Sequence, residues 1–127
     1  MLRGLHFQLP PYTQAKLVRV TEGKVLDVVV DLRKKSSTYG KHEAIILSAK
    51  NKKQLFVPRG FAHGYVVLSK AAVFSYKVDN TYAPDFDSGI IWDDKNLNID
   101  WLLESKNFII SEKDKRHQSF KDFDSPF

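Results

Sequence analysis

"KLVRVTEGKVLDVVVD", Lys16 to Asp31, is the stretch on which the reading of the fold turns. Two β-type runs, Lys16–Val20 and Lys24–Asp31, flank Glu22-Gly23, a pair suited to a tight turn, so the stretch predicts an antiparallel hairpin. Outward from it the same pattern repeats. "HEAIILS" (His42–Ser48) and "KQLFVP" (Lys53–Pro58) are split by a polar loop, and "FAHGYVVLS" (Phe61–Ser69) follows the turn "PRG". "AAVFSYKV" (Ala71–Val78) returns from that strand, and "SGIIWDD" (Ser88–Asp94) predicts one more. From Asn98 onward a helical turn or two is expected in an otherwise irregular segment, and "KDFDSPF" (Lys121–Phe127) predicts a loosely ordered tail. Seven or so short antiparallel strands predict an all-β, double-sheet jelly roll. An immunoglobulin sandwich would carry Cys and Trp landmarks.

With 127 residues, 43% of them hydrophobic, the chain can bury one compact core and is too short for two ordinary domains, so residues 1–127 are expected to form a single domain. No run of about 18 apolar residues suggests a membrane span, and no charged-then-apolar leader follows Met1, so neither membrane insertion nor secretion is expected. The absence of cysteine excludes disulfides, a thiolate nucleophile and a Cys-based zinc site, and fits a cytoplasmic protein. Twenty Lys and Arg against fifteen Asp and Glu give a net charge of +5, which favours an anionic partner. The surplus is scattered: Lys34-Lys35, Lys50–Lys53 and Lys113–Arg116 are the only short runs, and none interleaves aromatics, so no nucleic acid is expected. A small anionic ligand needs only two or three well-placed cations.

The polar residues inside the strands carry more information. Asp27 lies between Val25 and Val29 on one face, His63 between Phe61 and Tyr65, and Tyr76 between Phe74 and Val78. Burying each without a partner costs about 1–3 kcal/mol, so several together predict a polar cavity within the barrel. "LRGLHFQLPP" (Leu2–Pro11) poses a geometric question. Strict alternation puts Arg3 with Leu5 and Phe7, and His6 on the opposite face. Arg3 and His6 share a site only if Gly4 permits a bulge or twist, or if Arg3 reaches around the strand end. The four histidines, His6, His42, His63 and His117, include no His-x-His pair and no carboxylate at ligand spacing in the same strand, so no metal is expected. His42 and His117, in polar surroundings, are expected to face solvent. By residue type alone His6 reads as a structural histidine, His63 equally as a structural histidine or a site residue, Tyr76 as a core aromatic with its hydroxyl at the rim, and Lys16 as a solvated strand end.

Taken in order, "LRGLHFQ", "KLVRVTEGKVLDVVVDLR", "LSAKNKKQLFVPRGFAHGYVVLS", "YKVDNTYAP", "GIIWDD" and "ISEKD" resemble the dTDP-4-dehydrorhamnose 3,5-epimerases, cupin-like enzymes of dTDP-L-rhamnose synthesis. The resemblance runs from Leu2 to about Asp114. It implies a cupin-like, double-stranded β-helix barrel and metal-independent epimerisation at C3, C5 or both of a dTDP-4-keto-6-deoxyhexose, with no cofactor and as a homodimer. Family members carry further residues ahead of the "RGLHFQ" segment, and residues 1–127 are read as the epimerase domain without that N-terminal part. The alternative expectation is a non-catalytic nucleotide-sugar-binding domain or an inactive truncated epimerase.

Inverting a carbon next to a ketone needs a base on one face of the sugar, an acid on the other, and a cation or donor at the ketone oxygen. By resemblance His6 is the base, since an imidazole can stand neutral near physiological pH. Asp114 resembles the carboxylate that orients it, Tyr76 the acid, and Lys16 the cation at the keto oxygen. Arg3 and His63 resemble residues that hold the diphosphate or sugar, Tyr82 the aromatic that stacks on thymine, and Asp87 an acidic residue near the sugar nucleotide. Asp27 stands behind them, as a supporting group or a hydrogen-bonded structural one.

Overall fold

Gly23 separates two strands that never pair. In the computed structural model, which describes all 127 residues, β1 is Leu2–Gln8, β2 Lys16–Glu22, β3 Lys24–Asp31, β4 His42–Ser48, β5 Gln54–Val57, β6 Phe61–Val67, β7 Val73–Val78 and β8 Asp87–Gly89. They form two antiparallel sheets, one of five strands in the order β4-β3-β6-β1-β8 and one of three in the order β5-β2-β7. The expected hairpin between Lys16–Val20 and Lys24–Asp31 is therefore a corner at which the chain leaves one sheet for the other. Only a single residue, fewer than the two a tight hairpin needs, lies between β2 and β3. Gly23 takes φ +80 there, with the carbonyl of Ala71 2.1 Å from where a Cβ would stand. The apolar run Val25–Val30 belongs to a central strand covered on both faces, and β4 and β6 already occupy both of its edges.

β6 and β7 behave the same way: the return of "AAVFSYKV" joins β2 in the small sheet and does not pair with β6. The strand expected over Ser88–Asp94 shrinks to Asp87–Gly89, after which Ile90 bridges to Gln118 and the chain turns. The C-terminal segment holds a 3-10 turn at Ser105–Asn107 and one helical turn, α1, at Glu112–Lys115.

The five-stranded sheet has a core on each face. Toward the small sheet, Val25 and Leu47 meet Val18 and Val20, with Tyr65, Val67 and Phe74 packed around them. On the opposite face Leu2, Leu5, Phe7, Leu26, Val28 and Val66 are covered by Leu97, Trp101 and Phe123 from the C-terminal segment. The tail over Lys121–Phe127 is thus ordered, contrary to expectation. Phe123 lies 5.0 Å from the ring of Phe7, the Ser125 hydroxyl donates to the Leu32 carbonyl, and the Lys34 amide donates to the Phe127 carbonyl. Two apolar anchors in seven residues hold it down despite its polar composition.

β1 resolves the alternation question with a bulge. Arg3 pairs with Tyr65 and His6 with His63, so β1 spends three steps where β6 spends two. The extra residue reverses the parity, putting Arg3 and His6 on the face toward the small sheet while Leu2, Leu5 and Phe7 point into the C-terminal core. Gly4, at φ +137, meets Gly64 here, a Cβ on Gly4 standing 2.6 Å from the Gly64 Cα. A Cβ on Gly64 would lie 2.7 Å from the Arg3 carbonyl. Gly64→Ala is accordingly expected to lower stability by about 1–3 kcal/mol through overpacking, read as a fall in the urea midpoint with an unchanged m-value.

Candidate active site

Between the two sheets lies a cavity of about 480 Å³. Arg3, His6, Lys16, His63, Tyr76, Tyr82, Asp87 and Asp114, all eight residues expected at the site, line it. They come from both walls: Arg3, His6, His63 and Asp87 from the large sheet, Lys16 and Tyr76 from the small one, Tyr82 from the loop after β7, and Asp114 from α1.

His6 and Asp114 are joined at 2.7 Å between Nε2 and Oδ1. Ser111 caps α1 by accepting from the Asp114 amide at 3.1 Å, which turns the Asp114 side chain inward, and Oδ2 accepts from the Gly4 amide at 3.3 Å. Burial acts to raise the Asp114 pKa, but the His6 hydrogen bond and charge, with the Gly4 amide, outweigh it and hold the carboxyl below its ordinary range. An ionised carboxylate only accepts, so Nε2 of His6 donates to Asp114 and Nδ1 is the ring nitrogen left for another partner.

A second pair stands beside it. His63 Nε2 is 2.9 Å from both oxygens of Asp27, a residue with no exposed surface. The partner of the polar Asp27 in an apolar strand is thus a histidine across the sheet, at the neighbouring register. Burial lowers the pKa of Lys16, with Asp27 and Asp87 pulling it partly back up. Arg3 faces Tyr65, whose hydroxyl is pushed up by burial, with Arg3 opposing that shift. Asp87 is ion-paired to Lys113.

Sequence reasoning missed four residues. Lys113 neutralises Asp87, and Tyr65 stacks on Phe74 at 4.4 Å to form part of the wall. Gln8, buried, donates to the carbonyls of Tyr12 and Thr81 and accepts from the Ala83 amide, fastening the loop that presents Tyr82 at the rim. An amide side chain closing a core strand was the available signal. His117 is the fourth, and the expectation that it faces solvent is overturned. Its side chain is 9% exposed because the segment after α1 folds against β8, where Gly89 leaves room for the ring. Nε2 lies 3.9 Å from Asp114 Oδ1, beyond hydrogen bonding, and burial lowers the His117 pKa, the charge of His6 adding to the effect. His42, by contrast, lies at the end of the outermost strand β4, away from the cavity.

Three donors that sequence spacing did not associate, on His6, Asp114 and His117, come within 4.8 Å of one another.

The family model described as dTDP-4-dehydrorhamnose 3,5-epimerase matches residues 1–122. A dTDP-4-dehydrorhamnose 3,5-epimerase of Shigella flexneri is 52% identical over 124 residues, covering 98% of this chain and 67% of that protein. Among solved structures, the dTDP-4-dehydrorhamnose 3,5-epimerase of Elizabethkingia anophelis NUHP1 is 53% identical with a TM-score of 0.94, covering 95% of this chain and 66% of its own. The dTDP-6-deoxy-D-glucose-3,5-epimerase of Legionella pneumophila Philadelphia 1, solved in complex with dTDP-4-keto-L-rhamnose, is 44% identical with a TM-score of 0.92, covering 97% of this chain and 64% of its own. The chain therefore spans about two thirds of the length of these relatives. The two sheets are those of a cupin-like jelly roll. A match over nearly every residue, at about half identity and with the same backbone course, goes beyond a shared fold, and the chain belongs to the dTDP-4-dehydrorhamnose 3,5-epimerase family.

Proposed function

We propose that the chain epimerises a dTDP-4-keto-6-deoxyhexose at C3 and C5 by proton transfer through an enolate. The observation that carries the reading is the His6–Asp114 pair on one wall of the cavity with Tyr76 on the other. Nδ1 of His6 takes the proton from a carbon next to the ketone, and the imidazolium that forms is stabilised by Asp114. The electron pair moves into the C–C bond and on to the ketone oxygen, where the Lys16 ammonium meets the developing charge. Tyr76 then gives its hydroxyl proton to the carbon from the opposite face, inverting it. Water then takes the abstracted proton from His6 and supplies one to Tyr76, so both groups are reset for the second carbon. Arg3 holds the diphosphate through its fork of donors, His63, fixed by Asp27, positions the sugar, and Tyr82 stacks on thymine with Asp87 nearby.

Following the ring-proton signals of the dTDP-4-keto-6-deoxyhexose by NMR tests this: inverted product is expected to accumulate, and an unchanged spectrum in the presence of demonstrable dTDP binding would overturn it. The pH profile tests Lys16. Its folded pKa is lowered, so the ammonium is lost at a pH below its ordinary 10.5, and kcat is expected to fall as pH rises through that point. In Lys16→Arg, whose guanidinium keeps its charge across this range, the limb is expected to move upward. The same reading takes the enzyme as a cytoplasmic homodimer. The outward-facing Leu17 and Phe56, cross-strand neighbours on the small sheet and 38% and 61% exposed, supply an apolar patch for pairing.

A further inference from the structure

We propose that His6, Asp114 and His117 form a site for a divalent transition-metal ion, zinc being the best fit, and that filling it switches the base off. The second half rests on the function proposed above. The first half does not.

Three features carry the site. The donor atoms of the three residues lie within 4.8 Å of one another, and two of them share one oxygen: Asp114 Oδ1 is 2.7 Å from His6 Nε2 and 3.9 Å from His117 Nε2. Ligands about 2.0–2.2 Å from a tetrahedral ion stand roughly 3.3–3.5 Å apart, so the His6–Asp114 contact need open and the His117–Asp114 contact close by about half an ångström or somewhat more, and the two imidazole donors, within 4.8 Å of each other, must draw together as well. The second feature is the state of His117. Its side chain is 91% buried and neither ring nitrogen has a hydrogen-bond partner. A buried imidazole with both nitrogens unmet is costly, and a metal ion at Nε2 removes half of that cost. The third is preorganisation. A Cβ on Gly89 would stand 2.5 Å from Cε1 and 2.6 Å from Nδ1 of His117, so the ring is packed flush against β8, and it meets the His6 ring edge-on at 5.5 Å. Asp114 lies in α1, His117 follows just past the Arg116 cap that ends the helix, and His6 comes from β1. Two imidazoles and a carboxylate are the donor set of three-ligand zinc sites, with the fourth position left to water.

The consequence for the base follows from its tautomer. A metal ion on Nε2 takes the place of the proton that His6 shares with Asp114. The neutral ring then carries its one proton on Nδ1, the nitrogen that must accept from the sugar. No net proton is gained or lost by the ring, but its basic lone pair is gone.

The test uses the chain freed of metal by a chelator and then titrated with Zn²⁺ by calorimetry and with Co²⁺ by visible absorption. One ion per chain is expected, with Co²⁺ bands typical of low coordination number. His117→Asn and His117→Gln, each checked for an unchanged unfolding midpoint, are expected to weaken binding by at least about tenfold, the lower bound for losing even an outer partner of a metal site. His42→Ala is expected to leave it unchanged. Separately, excess Zn²⁺ is expected to suppress deuterium exchange into substrate in the wild type, with EDTA restoring it, while exchange by His117→Asn, whatever its own rate, is unaffected by the same Zn²⁺ concentration. Absence of one-to-one binding in the wild type, or binding equally tight in both His117 variants, overturns the site. Binding that depends on His117 in a chain whose exchange is insensitive to Zn²⁺ retains the site and overturns the switch. A chain with no exchange at all fails the functional reading, while the Co²⁺ spectrum and the Zn²⁺ stoichiometry still decide the site.

Discussion

Replacing His6 with alanine is expected to slow proton exchange at C3 and C5 by roughly 10²–10⁴-fold, the contribution of a positioned general base, with dTDP affinity changed no more than a few-fold. The separation follows from the layout of the cavity. Nδ1 of His6 is the only part of that side chain left for the substrate, because Nε2 is engaged with Asp114. The cation assigned to the diphosphate, Arg3, lies beyond the bulge in β1 and does not depend on the imidazole. Removing the ring leaves the Asp114 carboxylate, 2% exposed, with the Gly4 amide as its remaining partner, so some loss of stability is also expected. A urea midpoint and a dTDP titration on the same preparation separate the two effects. Equal losses of exchange and of affinity would make His6 structural.

Tyr76→Phe is expected to split the reaction. With the acid gone from the small sheet, His6 still removes a proton and returns one from solvent on its own face, so deuterium enters the sugar with retained configuration. Formation of inverted product is expected to drop by about 10²–10⁴-fold. Tyr76 is 60% exposed, and its loss leaves no buried group without a partner, so the unfolding midpoint is expected to stay close to that of the wild type. Comparing deuterium content with product configuration by NMR and mass spectrometry gives the answer. Parallel loss of exchange and inversion would mean that Tyr76 is not the acid on the opposite face.

Most strand cores could be read from the sequence because each leaves a local mark, a period-2 apolar run, whereas the eight residues that line the cavity were picked out by the family resemblance, since residue type alone gives bland readings for His6, Tyr76 and Lys16. What failed was pairing. Glu22-Gly23 carries the composition of a hairpin turn, but whether the next strand folds back or crosses to another sheet depends on who occupies its edges, here β4 and β6, which lie far along the chain. The Arg3–His6 problem was half legible, since Gly4 marked where a bulge could form, whereas its direction is fixed by the close approach to Gly64. His117 and the tail were misread for one shared reason. Their neighbours in sequence are polar, and their burial comes from Gly89, Phe7 and Leu32, contacts that no local window contains.

The proposed epimerisation requires one cavity to remove and return protons at carbons flanking a ketone, which deuterium incorporation reads out. Incubated in D2O with its dTDP-4-keto-6-deoxyhexose, the chain is predicted to place deuterium at both C3 and C5, with inverted configuration at each. Incorporation at neither carbon, with the sugar nucleotide bound, would contradict it.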